Sequence, residues 1–376
     1  MDCSPTFESL KLSRQILADI RQAGFAAPTP IQAQAIPPAL TGSDVIGCAQ
    51  TGTGKTAAFV IPIIQRLAGE AGLRALVLAP TRELALQTQE CFDALGGASR
   101  IRSIALIGGE AMGPQLEALR RRPDVVVATP GRLLDHLDRR SLSFGSIRTL
   151  VLDEADRMLD MGFAPQIERI LKHVPLDRQT LCFSATMPPA MERLVRGHLV
   201  RPVRVQIGLP ARPVGKVSQV VYPLSRDEKT PLLLSLLRGE RGKVLVFTRT
   251  KHRADRVARV VGAAGHRVAR LHADRSQSQR RQALDGFRAG RYQVLVATDV
   301  AARGIDVANI SHVINYDLPG TPEDYIHRIG RTARAEASGL ASSFAAPEER
   351  DQLRAIERHL GQPLRREGGR ARSNHA

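Results

Sequence analysis

Two stretches decide the fold of this chain, AQTGTGKT at residues 49–56 and VLDEADRM at residues 151–158. The first has glycines that let backbone N–H groups approach phosphates, a lysine for the phosphate charge and a hydroxyl suited to magnesium. The second is an apolar run that ends in carboxylates, and α/β sheets bind ligands at the carboxyl ends of their strands. Together the two stretches predict one nucleotide site. Taken alone, each has a simpler interpretation, an incidental glycine-rich turn and an acidic helix start.

The residues of the two stretches have distinct predicted roles. Gly52 and Gly54 allow the close backbone approach, Lys55 meets the β- and γ-phosphates, and Thr56 meets the metal ion. Asp153 is the predicted magnesium partner, and Glu154 is expected to polarise the attacking water. The general phosphate-loop pattern begins with glycine, whereas this chain has alanine at position 49.

Short apolar runs alternate with amphipathic segments along the whole chain. Their length and β-branched content predict buried parallel strands, and the alternation predicts sheets covered by helices on both faces. The predicted strands are residues 45–49, 75–79, 104–107, 125–128, 150–152, 181–183, 243–247, 268–271, 294–297 and 312–316. Residues 83–95 and 278–287 have helical spacing, and a helix is expected to begin near Lys55.

The alternation breaks at GLPARPVGK, residues 208–216, where prolines and glycines without periodicity indicate a linker. The predicted organisation is therefore a first α/β domain over residues 1–207, the linker, and a second domain over residues 217–362. The basic, polar residues 363–376 are expected to form a disordered tail.

The composition bounds the partners and the compartment. The net charge of +17 favours a polyanion partner, although an excess of arginine over lysine also arises from a GC-rich genome. Four scattered cysteines without a CxxC pair argue against a zinc site or a disulfide framework and suit a reducing cytoplasm. No signal pattern and no apolar run of membrane-spanning length are seen, so a soluble, cytoplasmic protein without a membrane partner is expected.

The sequence DEAD at residues 153–156 makes the resemblance specific: the chain resembles the DEAD-box ATP-dependent RNA helicases of superfamily 2, from Phe7 to about Leu360. The matching blocks follow the family's order, and Ala49 is the form that this family uses. They are GFAAPTPIQ (the Q motif), AQTGTGKT, PTRELALQ, GG, TPGR, DEAD, SAT, VFTRT, ATDVAARGID and HRIGRTAR. Many members have glycine at the position of Ala333, and in having alanine there the chain is similar to the bacterial RhlE-like subgroup.

The resemblance implies two RecA-like domains, each a mostly parallel sheet with helices on both faces, joined by the short linker. It implies ATP and Mg²⁺ as cofactors, with Thr56 and Asp153 at the metal. Phe25 is expected to stack on adenine, helped by Phe7, and Gln32 to read the adenine edge; Phe25 also has a plain interpretation as core packing. The expected nucleotide contacts are Phe25, Thr29, Gln32, Gln50, Thr51, Gly52, Thr53, Gly54, Lys55, Thr56, Gly304 and Asp306.

The second domain is expected to complete catalysis with arginines. Arg331 and Arg334 are three residues apart, so one helix face could present both to the γ-phosphate. A solvated basic helix face is the simpler interpretation of that run. Arg303 is expected near the nucleotide, and His327 is expected to couple the two domains.

The resemblance also implies an RNA path over both domains. Aromatic residues are only 4% and tryptophan is absent, so contacts to phosphates and 2′-OH groups, with little sequence preference, are expected instead of base stacking. The predicted contacts are Pro80, Thr81, Arg82, Gly109, Thr129, Gly131, Arg132, Arg249, Thr250 and Thr298.

Asp156, Ser184 and Thr186 are expected to link the DEAD carboxylates to domain opening, although Ser184 and Thr186 also suit a helix cap before Pro188. The predicted cycle is closure of both domains on ATP and RNA, which bends and locally opens a short duplex. Ribosome assembly or RNA turnover, with ribosomal or RNA-decay proteins as partners and a monomeric chain, is the expected setting. A DNA translocase and an ATP-gated RNA clamp are the alternatives.

Overall fold

The computed structural model describes residues 5–49, 52–207, 217–302, 307, 310–332 and 339–368. The chain divides into two compact units, Met1–Pro210 and Ala211–Ala376. The division falls within the predicted linker, residues 208–216, which lies outside the described residues. The domain boundaries predicted at residues 207 and 217 therefore remain predictions.

The first unit is built on a seven-stranded sheet of order β3-β4-β2-β5-β6-β1-β7, and each neighbouring pair of strands is parallel. Its strands are β1 Val45–Cys48, β2 Ala75–Leu78, β3 Ser103–Leu106, β4 Val125–Ala128, β5 Thr149–Leu152, β6 Gln179–Ser184 and β7 Val203–Gln206. Its helices, after a 3₁₀ turn at Glu8–Leu10, are α1 Arg14–Gln22, α2 Pro30–Leu40, α3 Lys55–Leu67, α4 Arg82–Leu95, α5 Met112–Arg120, α6 Pro130–Asp138, α7 Ala155–Asp160, α8 Ala164–Leu171 and α9 Pro189–His198.

The second unit contains another parallel sheet of seven strands, in the order β10-β11-β9-β12-β13-β8-β14. Its strands are β8 Val217–Pro223, β9 Lys243–Thr248, β10 Val268–Leu271, β11 Val294–Thr298, β12 Ile310–Asn315, β13 Gly339–Ala345 and β14 Arg365–Arg366. Its helices are α10 Lys229–Gly239, α11 Lys251–Ala263, α12 Gln277–Arg288, α13 Asp299–Ala302, α14 Pro322–Ile329 and, after a 3₁₀ turn at Pro347–Glu349, α15 Arg350–Leu360.

Each sheet has an apolar core on both faces, which confirms the predicted fold class of two RecA-like domains. Strands such as β2 (ALVL) and β4 (VVVA) are buried along their whole length, as expected where helices cover both faces. In the first unit one core includes Phe59 and Phe183, whose ring centroids lie 5.4 Å apart. The opposite core of that sheet includes Met158 and Met191.

All ten predicted strands are present, but four further strands, β7, β8, β13 and β14, were not predicted. The expectation of a disordered tail from residue 363 is wrong for its first residues. Arg365 and Arg366 pair with Val220 and Val221 of β8, and the Glu367 amide donates to the carbonyl of Val221 at 2.9 Å. The free edge of β8 supplies backbone partners that a tail predicted from composition does not take into account.

A bilayer-spanning segment is not found in the described part of the chain, because none of its helices is both long and apolar enough.

Candidate functional site

The phosphate loop, the DEAD carboxylates and the SAT loop follow neighbouring strands of the first sheet. In the order β5-β6-β1, the carboxyl end of β1 leads into the loop before α3, β5 leads into Asp153, and β6 ends at Ser184. Parallel strands present their carboxyl ends at one edge, so residues distant in the sequence meet there. The structure thus brings together the two stretches from which the nucleotide site was predicted.

The glycines of the phosphate loop have backbone conformations that other residues rarely adopt. Gly52 has a φ of 83° and Gly54 a φ of 90°. A Cβ atom at Gly54 would lie 2.4 Å from Nε2 of Gln32, so a side chain there would collide as well as strain the backbone. Gly54 directly precedes α3, whose first residue is Lys55. The backbone N–H groups of this helix start are available to phosphate oxygens.

Gln32 has a structural role that the sequence did not reveal. Its Oε1 accepts from the Thr29 amide at 2.9 Å, and its Nε2 donates to the Gly54 carbonyl at 3.0 Å. One side chain therefore connects the start of α2 with the phosphate loop. Its predicted contact with the adenine edge remains a prediction.

Lys55 is almost completely buried at the floor of the loop. The residue is 6% exposed, and its Nζ donates to the Ala49 carbonyl at 2.5 Å. Burial lowers the pKa of Lys55, while the nearby carboxylates of Glu154 and Asp153 oppose that change. A phosphate group arriving here would supply a stronger counter-charge and favour the ammonium form.

Asp153 is buried at the end of β5, where its residue is 2% exposed. Burial, with the neighbouring Glu154 as the second cause, raises the pKa of Asp153 to about 7. A carboxylate held in such a setting favours binding of a cation. Together with the Thr56 hydroxyl in the first turn of α3, it offers the hard oxygen ligands that Mg²⁺ prefers, so these residues fit the ion.

The raised pKa of Asp153 predicts a stability effect with a defined sign. Between pH 3.8 and about 7 the folded protein holds a proton that the unfolded chain has released, so stability falls as pH rises through this interval. Asp153→Asn removes the free-energy cost of holding an ionised carboxylate in this buried position. We expect it to stabilise the first unit by about 1–2 kcal/mol at pH 8. Thermal unfolding without nucleotide or divalent ions, at several pH values between 5 and 8, checks this. An advantage that is no larger at pH 8 than at pH 5 would contradict the argument.

Glu154 is held by an arginine that sequence reasoning missed. Glu154 has a left-handed backbone with φ of 46°, and its Oε2 accepts from Nη1 of Arg157 at 2.6 Å. Both side chains are buried, at 9% and 3% exposure. Arg157 was overlooked because it follows the DEAD stretch, one turn of α7 away from its partner.

Asp156 connects the DEAD stretch to the SAT loop. Its Oδ2 accepts from the Ala185 amide at 3.1 Å and from the amide and hydroxyl of Thr186 at 2.8 and 2.9 Å. The Ser184 hydroxyl donates to the Thr186 carbonyl at 2.5 Å. The alternative interpretation as a helix cap is wrong, because α9 begins at Pro189 with Pro188 as its cap and without a capping side chain.

Phe7 and Phe25 lie edge to face with ring centroids 6.4 Å apart. Phe7 is a buried member of the core, and Phe25 is partly buried against the same core. Both rings line one cavity beside α1. The packing interpretation of Phe25 therefore holds, and stacking on adenine remains a prediction.

The predicted RNA residues of the first unit follow β2, β3 and β4, which are neighbours in the sheet. A Cβ at Gly109 would lie 2.0 Å from Nη1 of Arg82, so a larger residue there would displace this guanidinium. Arg132 donates from Nη2 to the Glu110 carbonyl at 3.0 Å, next to Gly109 in the chain. Thr81 caps α4, Thr129 precedes α6, Gly131 is exposed, and Pro80 directly precedes Thr81.

The predicted RNA residues of the second unit lie at the carboxyl edge of its sheet. Arg249 follows β9, its amide donates to Oδ2 of Asp317 at 2.9 Å, and its Nη2 donates to Oε1 of Glu349 at 3.1 Å. Thr250 caps α11, and Thr298 ends β11, the strand beside β9. Asp317 and Glu349 lie outside the sequence blocks that carried the prediction.

The HRIGRTAR block does not form one continuous helix. Helix α14 ends at Ile329 and Gly330 is its C-cap, so Arg331 lies in the following turn. The expectation that one helix face presents both arginines is wrong, because α14 ends before Arg331. His327 lies in the last turn of α14 and is partly buried. Arg334, Gln50, Thr51, Arg303, Gly304 and Asp306 lie outside the described residues.

Arg328, within the same block, was not predicted and is 2% exposed. Its Nε and Nη2 donate to both carboxylate oxygens of Asp299 at 2.5 and 2.7 Å. Its Nη1 donates to Oδ1 of Asn315 at 3.0 Å and to the Asp317 carbonyl at 2.7 Å. The guanidinium also lies over the Phe247 ring, 4.9 Å from its centroid. Arg328 thus joins α14 to the carboxyl ends of β11 and β12.

Comparisons with known proteins agree with this geometry. The DEAD/DEAH box helicase model matches residues 29–194, and the helicase conserved C-terminal domain model matches residues 228–336. CshA of Bacillus licheniformis, named a DEAD-box ATP-dependent RNA helicase, is 44% identical over 354 residues, 94% of this chain and 73% of that protein. RRP3 of Debaryomyces hansenii, named an ATP-dependent rRNA helicase, is 45% identical over 362 residues, 96% of this chain and 76% of that protein.

Solved structures give the same result. S. cerevisiae Dbp5 bound to RNA and ADP BeF3 has a TM-score of 0.88 and 32% identity, covering 97% of this chain and 96% of that chain. Mss116p bound to ssRNA and AMP-PNP has a TM-score of 0.89 and 28% identity, and the match covers 98% of this chain and 80% of that chain. With the phosphate loop and the DEAD carboxylates at the same edge of one sheet, these matches show that the chain belongs to the DEAD/DEAH box helicase family.

Proposed function

We propose that the protein is an ATP-dependent RNA helicase, in which RNA-stimulated hydrolysis of ATP drives local unwinding of short RNA duplexes or remodelling of RNA–protein complexes. The contact of Asp156 with the SAT loop carries this proposal. One carboxylate oxygen accepts three hydrogen bonds from Ala185 and Thr186. A movement of the DEAD carboxylates would therefore act directly on the SAT loop, which supplies none of the predicted nucleotide contacts. A simple ATPase does not require such a connection.

The nucleotide is proposed to bind with its phosphates on the loop before α3. Lys55 supplies the charge, the helix start supplies N–H donors, and Glu154 orients and polarises the attacking water. Mg²⁺ would be held by Asp153 and Thr56 and would neutralise charge that develops on the phosphates. The arginines Arg331 and Arg334 are proposed to act on the γ-phosphate, as the family resemblance implies.

RNA is proposed to bind through its backbone and 2′-OH groups, with little sequence preference. Dbp5 and Mss116p, both bound to RNA in their solved structures, support this partner. ATP and RNA are each proposed to favour the same closed arrangement of the two units, so their binding free energies are coupled reciprocally. Closure would bend one strand in a way that a duplex does not follow.

The biological setting is also a proposal. The name of RRP3, an rRNA helicase, supports ribosome assembly, and RNA turnover is the alternative. We propose a cytoplasmic monomer that works with ribosomal or RNA-decay proteins. The RhlE-like subgroup rests on Ala333 alone, whereas several of the similar relatives are named CshA.

Steady-state ATP hydrolysis tests the proposed function, measured without nucleic acid, with single-stranded RNA and with DNA of the same sequence. Strong stimulation by RNA alone is expected. Equal stimulation by DNA would favour the DNA translocase and overturn the RNA-specific function. Unwinding of matched short duplexes completes the test, because RNA-stimulated hydrolysis without strand separation would favour the clamp.

Glu154→Gln is expected to lower the turnover number for ATP by at least about 100-fold, because an amide does not polarise water as a carboxylate does. The amide keeps the shape beside Arg157, so ATP and RNA should still bind and RNA release should become slow. Rapid-mixing measurement of RNA release in the presence of ATP checks this. Glu192→Gln, which changes a partly exposed glutamate of α9, is the matched control. Fast RNA release from the Glu154 variant would contradict the proposed coupling.

A further inference from the structure

Basic residues are concentrated in one part of the second unit. Residues 249–291 contain twelve lysines and arginines against three aspartates and no glutamate, a net charge of +9 out of the +17 of the whole chain. This segment runs from the end of β9 through α11, β10 and α12. A drift in amino-acid usage would spread arginine along the chain, so the concentration needs a local explanation.

Helix α11 presents an arginine stripe opposite its apolar face. Ala254, Val257, Ala258 and Val261 are its buried residues. Arg253, Arg256 and Arg259 are exposed, and at 100° per residue they fall within an arc of about 120° on the other side of the helix. We name these three residues the α11 stripe. It extends about 9 Å along the helix at a rise of about 1.5 Å per residue.

Two arginines of the α11 stripe form no ion pair among the described residues, because the nearby Asp255 pairs with Arg270 and His272 instead. In the described part of the second unit, no ion pair or side-chain hydrogen bond involves Arg256 or Arg259. Some exposed arginines elsewhere in this unit do have such a partner, for example Arg354 with Asp351 and Arg365 with Glu367. Unpaired guanidinium groups keep their full attraction for an external anion.

The stripe begins beside residues that are proposed to hold RNA. Asp317 accepts from Nη1 of Arg253 at 2.6 Å and from the Arg249 amide at 2.9 Å, so both residues share one buried carboxylate. Thr250 caps α11 directly before the stripe. A strand that passes Arg249 and Thr250 would therefore meet Arg253 first, then Arg256 and Arg259 along the helix.

The chemistry of this surface favours a polyanion over a protein partner. Protein interfaces have an apolar centre, usually with aromatic residues. Among the described residues, the exposed large apolar side chains are Leu176, Val200 and Val203, and all three lie in the first unit. The face that carries the α11 stripe offers charge without apolar area, which suits contacts to phosphate.

We infer that the α11 stripe binds the phosphate backbone of RNA that continues beyond the strand held at Arg249 and Thr250. The inference rests on the proposed function and extends its RNA site to residues outside the family blocks. Binding here is independent of base sequence, because guanidinium groups on a helix surface contact phosphates and not base edges. The stripe would keep the protein on long RNA without taking part in hydrolysis.

The test compares two RNAs and two double variants. One RNA is the shortest that still stimulates ATP hydrolysis by the wild type, and the other carries an additional single-stranded segment. The first variant, Arg256→Ala with Arg259→Ala, removes the free part of the stripe. The matched control, Arg354→Ala with Arg358→Ala, removes the same charge from exposed positions of α15 in the same unit.

We expect the α11 variant to bind the longer RNA about tenfold more weakly at low salt than the wild type does. The slope of the logarithm of its affinity against the logarithm of salt concentration should flatten by about 1.4, because two phosphate contacts are lost. Its affinity for the shortest RNA and its hydrolysis with that RNA should equal those of the wild type. The α15 control should bind both RNAs as the wild type does.

Undiminished binding of the longer RNA by the α11 variant would overturn the inference. An equal loss in both double variants would also overturn it, because the effect would then follow net charge and not the stripe. Failure of the proposed function would be seen in the wild type itself, as ATP hydrolysis that neither RNA stimulates.

Discussion

Lys55→Ala is expected to lower the turnover number for ATP by at least about 100-fold, which corresponds to about 2.7 kcal/mol of lost transition-state stabilisation. Lys55 is the buried cation of the phosphate loop, and it is positioned by the Ala49 carbonyl at 2.5 Å. Charge that develops on the transferred phosphoryl group has no equivalent partner when the ammonium is removed. Steady-state hydrolysis with saturating RNA measures the effect.

The same change should leave the fold intact. Burial penalises the charged form of Lys55 and lowers its pKa, so relief of this penalty offsets the loss of its hydrogen bond to the Ala49 carbonyl. Thermal unfolding without nucleotide should therefore be close to that of the wild type. Lys172→Ala, at an exposed position after α8, is the control and should hydrolyse ATP normally. Hydrolysis at the wild-type rate by the Lys55 variant would show that the site is misassigned.

Arg328→Ala is expected to destabilise the second unit by about 3–5 kcal/mol, the usual cost of breaking a buried ion pair from one side. Removing the guanidinium leaves the Asp299 carboxylate without its bidentate partner and the Asn315 and Asp317 acceptors without a donor. It also removes the contact with the Phe247 ring. Chemical denaturation, followed by a probe in the second unit, measures the change.

A double-mutant cycle with Asp299→Asn separates the contribution of the Arg328–Asp299 ion pair from that of the other Arg328 contacts. If the pair carries the effect, the double variant should be less destabilised than the sum of the two single variants, because no buried charge is then left unpaired. Arg354→Ala, which truncates a side chain that is 73% exposed, should change stability by less than about 0.5 kcal/mol. A similarly small effect of Arg328→Ala would mean that the network is not stabilising.

The strands could be predicted wherever they are apolar on both faces. The runs VVVA of β4 and VLVAT of β11 are buried over most of their length, and such apolar, β-branched sequences are typical of strands that helices cover on both faces. The strands that were missed lack this signal. The sequence of β13, GLASSFA, is small and polar although it is buried, and β7 and β14 are edge strands with exposed positions. Their strand state depends on the neighbour with which they pair.

The candidate site, like the strands, could be predicted from the sequence only in part. Gly54, Lys55, Asp153 and Glu154 could be named because phosphate and metal chemistry demand those residue types at those positions. The contacts of Gln32 with the phosphate loop and of Arg157 with Glu154 could not be derived, because spacing does not specify which polar partners a buried side chain finds. The end of α14 before Arg331 was also missed, since Gly330 marks it only weakly.

The sequence by itself determined the chemistry of this protein, a phosphate loop, a carboxylate pair and a family order of blocks, because these depend on residue type and local spacing. The tertiary structure decided which distant groups meet. It placed Asp156 against Thr186 and Arg328 against Asp299, and it aligned the arginines of α11 beside Arg249. Strand order brings the carboxyl ends of particular strands side by side, and no local pattern specifies that order.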